Sequence, residues 1–300
     1  MAKAVKEPVD TSALRAPPEK KGDVLESLAR QLPQEPAPLP AGSRMALIVK
    51  GRVFSPPRIL IYGIDGIGKS SFAAQAPKPI FIQTEDGLNE IDCERFPLAR
   101  DYAAVRDSLH SLIAEKHDYE TVVIDSLDWL ERLIWDRVCQ RTNVANIEKA
   151  GGGFAKGYTF ALEEWREVLD MLGHLRARGM AVILTAHAKI ERFEDPENPA
   201  YDRYSPRLNK HAEALVREWV DATLFATRRL VVRKEGDGFN ERGVAAPVGA
   251  DGGERILRTV GGPACVAKNR YDLPAEIAFP KASSWGVFMD HLSKSMKKGD

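Results

Sequence analysis

The sequence is poor in cysteine, carries no net charge and has no uncharged apolar run of the roughly 20 residues that a membrane span needs. Its three cysteines, Cys93, Cys139 and Cys265, are scattered and odd in number. They offer neither a disulfide framework nor a CxxC metal site, and they fit a reducing compartment. Lys and Arg total 43, as do Asp and Glu. That balance excludes a protein that coats duplex DNA by global charge, while leaving room for a local basic groove. Lys3 and Lys6 are followed by no apolar stretch, so no secretory signal is expected. What is present is a 300-residue chain, 44% hydrophobic, enough for one large core.

Seven of the nineteen prolines fall within residues 1–44. Such a stretch cannot bury enough apolar surface to offset its ordering entropy, so it reads as a disordered tail, with residues 24–32 able to form a short amphipathic helix. Residues 45–300 read as one domain. There, apolar runs at 59–62, 79–82, 121–124, 181–184 and 223–226 predict strands buried on both faces of a parallel sheet. Between them, Leu162, Trp165, Leu169, Leu172 and Leu175 recur at helical spacing, with Gly179 placed as a C-cap. Trp129, Leu130, Leu133, Ile134 and Val138 form a second such stripe and are expected in the core. Residues 228–259 are Gly-rich and charged, with short strands at 230–232 and 256–257 predicted to extend the sheet antiparallel. A last amphipathic helix is predicted over 284–297. The fold class is α/β, mainly parallel, with an antiparallel C-terminal extension.

The motif that carries chemistry is Gly63-Ile64-Asp65-Gly66-Ile67-Gly68-Lys69-Ser70, directly after the first predicted strand. It fits G-x4-G-K-[ST]. Glycines let the backbone wrap a phosphate, and amides from Gly66 through Ser71 then point at its oxygens at a helix N-terminus. Lys69 supplies a point cation, and the Ser70 hydroxyl suits Mg²⁺. A neighbouring strand ends in Val122-Val123-Ile124-Asp125, and a carboxylate there faces the loop, where it can hold the same metal. Hydrolysis also needs a group that orients water. Glu85, just past the second strand, is the candidate and Asp86 its rival. His187, at the tip of the fourth strand, is either a contact to the terminal phosphate or a structural histidine.

These strand-end residues, in this order, resemble those of the RecA-fold P-loop ATPases. Phe81-Ile82-Gln83-Thr84-Glu85 looks like the strand that carries their catalytic glutamate. Val123-Ile124-Asp125-Ser126 looks like their Asp-Ser metal strand, and Thr185-Ala186-His187 takes the place of their Asn-Gln sensor. Val266-Ala267-Lys268-Asn269-Arg270-Tyr271 resembles the Lys-Asn-Lys segment that reaches the nucleotide of the next subunit, which implies Lys268 and Arg270 as groups acting in trans. More narrowly, the chain resembles short phage-encoded RecA-like proteins, a group that includes single-strand annealing recombinases. His in place of Gln, and no extra C-terminal domain, are departures from the pattern.

The resemblance implies ATP and Mg²⁺ as cofactors, self-assembly into a ring or filament, and single-stranded DNA as partner. It also implies a single-strand binding protein as a further candidate partner and a cytoplasmic location, in the bacterial host if phage-encoded. Two DNA-contacting loops are implied at 149–159, with Lys156 and Tyr158, and at 189–210, with Lys189, Arg192, Arg203, Tyr204, Arg207 and Lys210. Cations that track phosphates and rings that stack on bases suit sequence-tolerant binding. Acids in the second loop nearly cancel its charge and could fold onto its basic residues. A hexameric helicase-like motor, a P-loop phosphotransferase and an ATP-gated adaptor remain open alternatives.

Overall fold

The computed structural model describes residues 44–51, 55–235, 242–249 and 253–297. The proline-rich tail lies outside them. The chain divides between Val53 and Phe54, and before that division only residues 44–51 are described, with a 3₁₀ turn over Arg44–Leu47.

The strands are β1 (Arg58–Gly63), β2 (Pro79–Gln83), β3 (Glu94–Arg95), β4 (Thr121–Asp125), β5 (Ala181–Phe193), β6 (Tyr201–Pro206), β7 (Ala222–Arg228), β8 (Leu230–Glu235), β9 (Arg242–Pro247), β10 (Arg255–Arg258), β11 (Lys268–Asn269) and β12 (Glu276–Ala278). The helices are α1 (Lys69–Ala74), α2 (Tyr102–Ala114), α3 (Leu127–Thr142), α4 (Lys156–Ala177), α5 (Lys210–Trp219) and α6 (Ser284–Lys297). In the main sheet the order is β12-β10-β7-β1-β5-β4-β2-β3. The strands from β7 to β3 run parallel, whereas β10 and β12 join antiparallel. All five expected parallel strands are present, and the last helix spans 284–297 as predicted. Gly179 follows α4 in the left-handed region, the conformation a helix stop requires.

Alternation along the strands divides the core into two layers. Leu60, Tyr62, Val122, Ile124, Val182 and Leu184 face α2 to α5, and Ile59, Ile61, Phe81, Val123 and Ile183 face α1 and α6. On the second face the Phe72 ring lies 5.3 Å from Trp285 and 5.9 Å from both Phe279 and Phe288, centroid to centroid. This cluster pins the short helix α1 to the body of the protein.

Three expectations are corrected. Trp129 is 38% exposed, its ring under the Arg132 guanidinium at 4.3 Å, because Leu127, Leu130, Ile134 and Val138 form the inward stripe of α3 and Trp129 lies off it. The segment 230–232 does not extend the sheet. The free edge of β7 is taken by β10 along one half and β11 along the other, so β8 pairs with β9 in a separate hairpin. The segment 189–210 is no open loop: β5 runs on to Phe193 and β6 folds back on it, pairing Ala188 with Pro206 through to Phe193 with Tyr201. Cross-strand Glu191–Arg203 at 3.1 Å and Phe193–Tyr201 hold this hairpin.

Among the described residues no helix is long and apolar enough to cross a membrane. Because Phe72 is fully buried among three aromatic rings, Phe72→Ala should cost about 3–5 kcal/mol of stability. The check is a urea denaturation midpoint, which should fall clearly below that of the wild type.

Candidate functional site

The site forms where β1, β4 and β2 end beside the middle of β5, with Gly63 level with His187. Strand β1 closes at Gly63, packed so tightly on β7 that a Cβ there would lie 2.3 Å from the Ala226 carbonyl oxygen. Residues 64–68 then turn back into α1. Gly68, at φ 107°, occupies the left-handed region that a side chain would strain, and Arg255 Nη1 donates to the adjacent Ile67 carbonyl at 2.8 Å. The Lys69 ammonium bridges the loop from inside, donating to the carbonyls of Gly63 at 3.3 Å and Ile64 at 3.2 Å. Burial pushes its pKa down, against the pull of Asp125, Asp65, Asp128 and Glu85. A cavity of about 410 Å³ opens in front of the loop, with Lys69, Ser70, Glu85, Asp125 and His187 in its wall. It continues along Ser71 to an apolar flank of Leu88 and Ile91.

Each carboxylate at the strand ends has a partner that fixes it. Asp125 accepts from the Thr185 hydroxyl at 2.5 Å, and the Asp125–Ser126 peptide is cis. Glu85 accepts from the Ser126 hydroxyl at 2.9 Å. Its rival Asp86 is exposed and accepts from Asn89 instead. His187 rests on Asp128, a buried acid in the first turn of α3. Its backbone N–H donates to Oδ1 at 3.1 Å, and its ring Nδ1 lies 3.0 and 3.2 Å from the two oxygens. The other ring nitrogen is 3.4 Å from Asp65 of the loop. One turn further along α3, both oxygens of buried Glu131 accept from the Asn209 N–H that begins α5, and burial pushes the Glu131 pKa up to about 7.

Lys268 and Arg270 lie at the other end of the sheet. Lys268 pairs with Thr223 at the start of β7, beside the first residues of β1. That level is Leu60 of β1, three residues short of Gly63, about 10 Å at the usual rise. Lys268 Nζ donates to the carbonyls of Arg217, Glu218 and Val220, where α5 ends. Arg270, with 49% of its side chain exposed, reaches the Glu218 carbonyl and Asp221. Asp221 is the hub here. It accepts from the Arg58 guanidinium at 2.8 Å, Arg176 at 3.0 Å and the Tyr271 hydroxyl at 3.1 Å.

Of the residues assigned to DNA, Lys156, Arg192, Arg207 and Lys210 are exposed. The others are engaged. Tyr158 packs edge-on against Trp135, Tyr204 stacks on Phe225, Arg203 binds Glu191 and covers the Phe193 ring, and Lys189 donates to the Leu208 carbonyl. Stacking positions for Tyr158 and Tyr204 are therefore not supplied by this arrangement. Phe154, 95% accessible, offers an exposed ring in the glycine-rich turn before α4. Sequence reasoning missed it, along with Ser126, Thr185 and Asp128. Nothing in the spacing of Asp128 separates it from an ordinary acid at a helix start.

The family model described as an AAA domain matches residues 55–271. The SPbeta prophage-derived protein YorG of Bacillus subtilis strain 168 is 27% identical over 154 residues, 50% of this chain; the match spans 45% of that protein's own length. Among solved structures, the RadB recombinase aligns at 14% identity and TM-score 0.41, over 76% of this chain and 90% of that one. The flagellar accessory protein FlaH of Methanocaldococcus jannaschii aligns at 11% identity and TM-score 0.35, over 80% and 92%.

The Asp221 hub gives a prediction free of any functional reading. Removing a buried carboxylate that serves two part-buried guanidinium groups should cost about 3–5 kcal/mol in Asp221→Ala. Arg270→Ala, at a half-exposed partner, should cost about 1 kcal/mol or less. Parallel urea titrations of the two variants check the order.

Proposed function

The chain belongs to the AAA domain family, and on that premise we propose that it is a RecA-like ATPase whose nucleotide sites close between subunits and which acts on single-stranded DNA in recombination or annealing. One observation carries the reading: Lys69, Asp125, Glu85 and His187, from four separate segments, all line one cavity in front of the phosphate loop. The triphosphate lies along residues 66–71, with its base toward Leu88 and Ile91. Ser70 and Asp125 would hold Mg²⁺. A hydroxyl and a carboxylate are the hard oxygen donors that this cation takes, and it supplies charge neutralisation across the terminal phosphates when bound. Lys69 leaves its loop carbonyls for the phosphate oxygens. Glu85, oriented by Ser126, accepts a proton from the attacking water. His187 meets the terminal phosphate.

The distance of Lys268 and Arg270 from their own loop supports a role toward a neighbouring subunit. Arg270 is the more available of the two, since Lys268 must first release three helix-end carbonyls. For single-stranded DNA the support is the exposed Lys156, Arg192, Arg207 and Lys210 with the bare Phe154 ring, cations and a stacking surface on elements next to the end of β5. Likeness over half the chain to a prophage-derived protein supports a phage origin.

The test is steady-state ATP hydrolysis across protein concentration, with and without single-stranded DNA. The wild-type rate per subunit should rise with both. Lys69→Ala should abolish nucleotide binding, and Glu85→Gln should keep binding while losing hydrolysis by about 100-fold or more. A rate indifferent to DNA and to concentration would overturn the recombination reading. Polar, ATP-driven strand separation would move it to a helicase-like motor.

A further inference from the structure

His187 and Asp128 decide which proton can meet the terminal phosphate, an inference that rests on the nucleotide reading above. Asp128 is 4% exposed and takes both the backbone N–H and the ring Nδ1 of His187. It sits in the first turn of α3, where the helix dipole favours the charged form. Burial alone would raise the Asp128 pKa, but its hydrogen bonds from His187 outweigh that and hold it below the usual carboxylate range. An ionised carboxylate only accepts, so the hydrogen bonding assigns the His187 ring proton to Nδ1. A neutral ring then presents a lone pair at Nε2. That nitrogen is the one turned toward the phosphate loop, 3.4 Å from Asp65 Oδ1. Phosphate oxygens arriving there are acceptors too. Two acceptors cannot bond, so only the imidazolium can hold a terminal phosphate from this position.

We propose that Asp128 is a positioning residue that obliges His187 to read the terminal phosphate as an imidazolium, so that triphosphate binding takes up a proton that diphosphate binding does not. No bond is made or broken; the proton comes from solvent and ends on Nε2. A glutamine at position 187 would offer a neutral donor and no such linkage.

The surroundings of the ring agree. Asp128 from α3, Glu85 after β2 at 3.8 Å and Asp65 from the phosphate loop favour the cation. Asp125 at the end of β4 lines the same cavity. Lys69 of α1 and burial oppose, yet hydrogen bonding to Asp128 prevails and the His187 pKa is raised. A terminal phosphate beside Nε2 raises it further. The linkage therefore has a definite sign. Triphosphate affinity is full below the pKa of the free enzyme and weakens by up to about tenfold per pH unit as pH rises toward the pKa of the bound state.

The experiment is equilibrium binding of fluorescent ADP and of a non-hydrolysable ATP analogue to the full chain, at saturating Mg²⁺, between about pH 6 and pH 9. His187→Gln serves as the control, since it retains Glu131 and the nucleotide's own titration. The wild-type preference for triphosphate over diphosphate should fall across that range by at least about tenfold more than that of His187→Gln. Asp128→Asn keeps an acceptor for Nδ1 but loses the charge, so its fall should move to lower pH. A wild-type preference that tracks His187→Gln, with both nucleotides still bound, overturns the inference and leaves the ATP site standing. An unshifted Asp128→Asn overturns the part given to Asp128. Failure of the wild type to bind either nucleotide overturns the inference and the nucleotide reading together.

Discussion

One strand, β5, separates the strand that leads into the phosphate loop from the strand that ends in Asp125, and the site depends on that spacing. Neighbouring strands lie about 4.8 Å apart, so Gly63 and Asp125 stand roughly 10 Å from each other across β5. A phosphate chain and its cation fit such a gap. Whatever β5 presents at its own end must then face the middle of the ligand, and it presents Thr185 and His187. The first hydroxyl orients Asp125; the second ring turns one nitrogen to Asp128 and the other to the loop. The first six residues of β5 are buried between its neighbours, so Thr185 lies within that buried run and His187 directly follows it.

The opposite end of the sheet is built around Asp221. Its backbone N–H bonds Arg58, its carboxylate gathers Arg58, Arg176 and Tyr271, and its carbonyl accepts from Arg270. Lys268 closes the end of α5 just beside it. Helix α5 thus starts at Asn209, held by Glu131 one turn beyond Asp128, and ends on Lys268. Direct hydrogen bonds join His187 to Asp128 and Asn209 to Glu131 on α3, and Lys268 to the end of α5, so these two helices connect the phosphate-loop end of the sheet to the Lys268 end.

Much of this was legible in the sequence, for reasons that differ by element. The five parallel strands showed as unbroken apolar runs because both of their faces are covered. The phosphate loop showed because its glycines answer backbone demands, such as the close approach of Gly63 to Ala226. Gly179 showed for the same reason. The β5–β6 hairpin did not, since the adjacent charges Glu191-Arg192 and Asp202-Arg203 break the period-two pattern on both strands and the Glu191–Arg203 pairing exists only across the turn. Nor did the stacking of Tyr204, partly buried, on Phe225 from strand β7. Trp129 looked inward by its neighbours' spacing, yet lies just off the stripe. Asp128 was hidden most completely: an acid at a helix start is ordinary until the histidine from β5 is seen resting on it.

The central claim is that each working site takes its loop from one subunit and Arg270 from the next, and mixing two inactive variants tests it most directly. Lys69→Ala chains lack a usable loop and Arg270→Ala chains lack the reaching guanidinium. Mixed one to one in a head-to-tail assembly, about a quarter of the interfaces would unite an intact loop with an intact Arg270. The account predicts that the mixture recovers ATP hydrolysis toward that fraction of the wild-type rate. A mixture no more active than the sum of its two parts would contradict it.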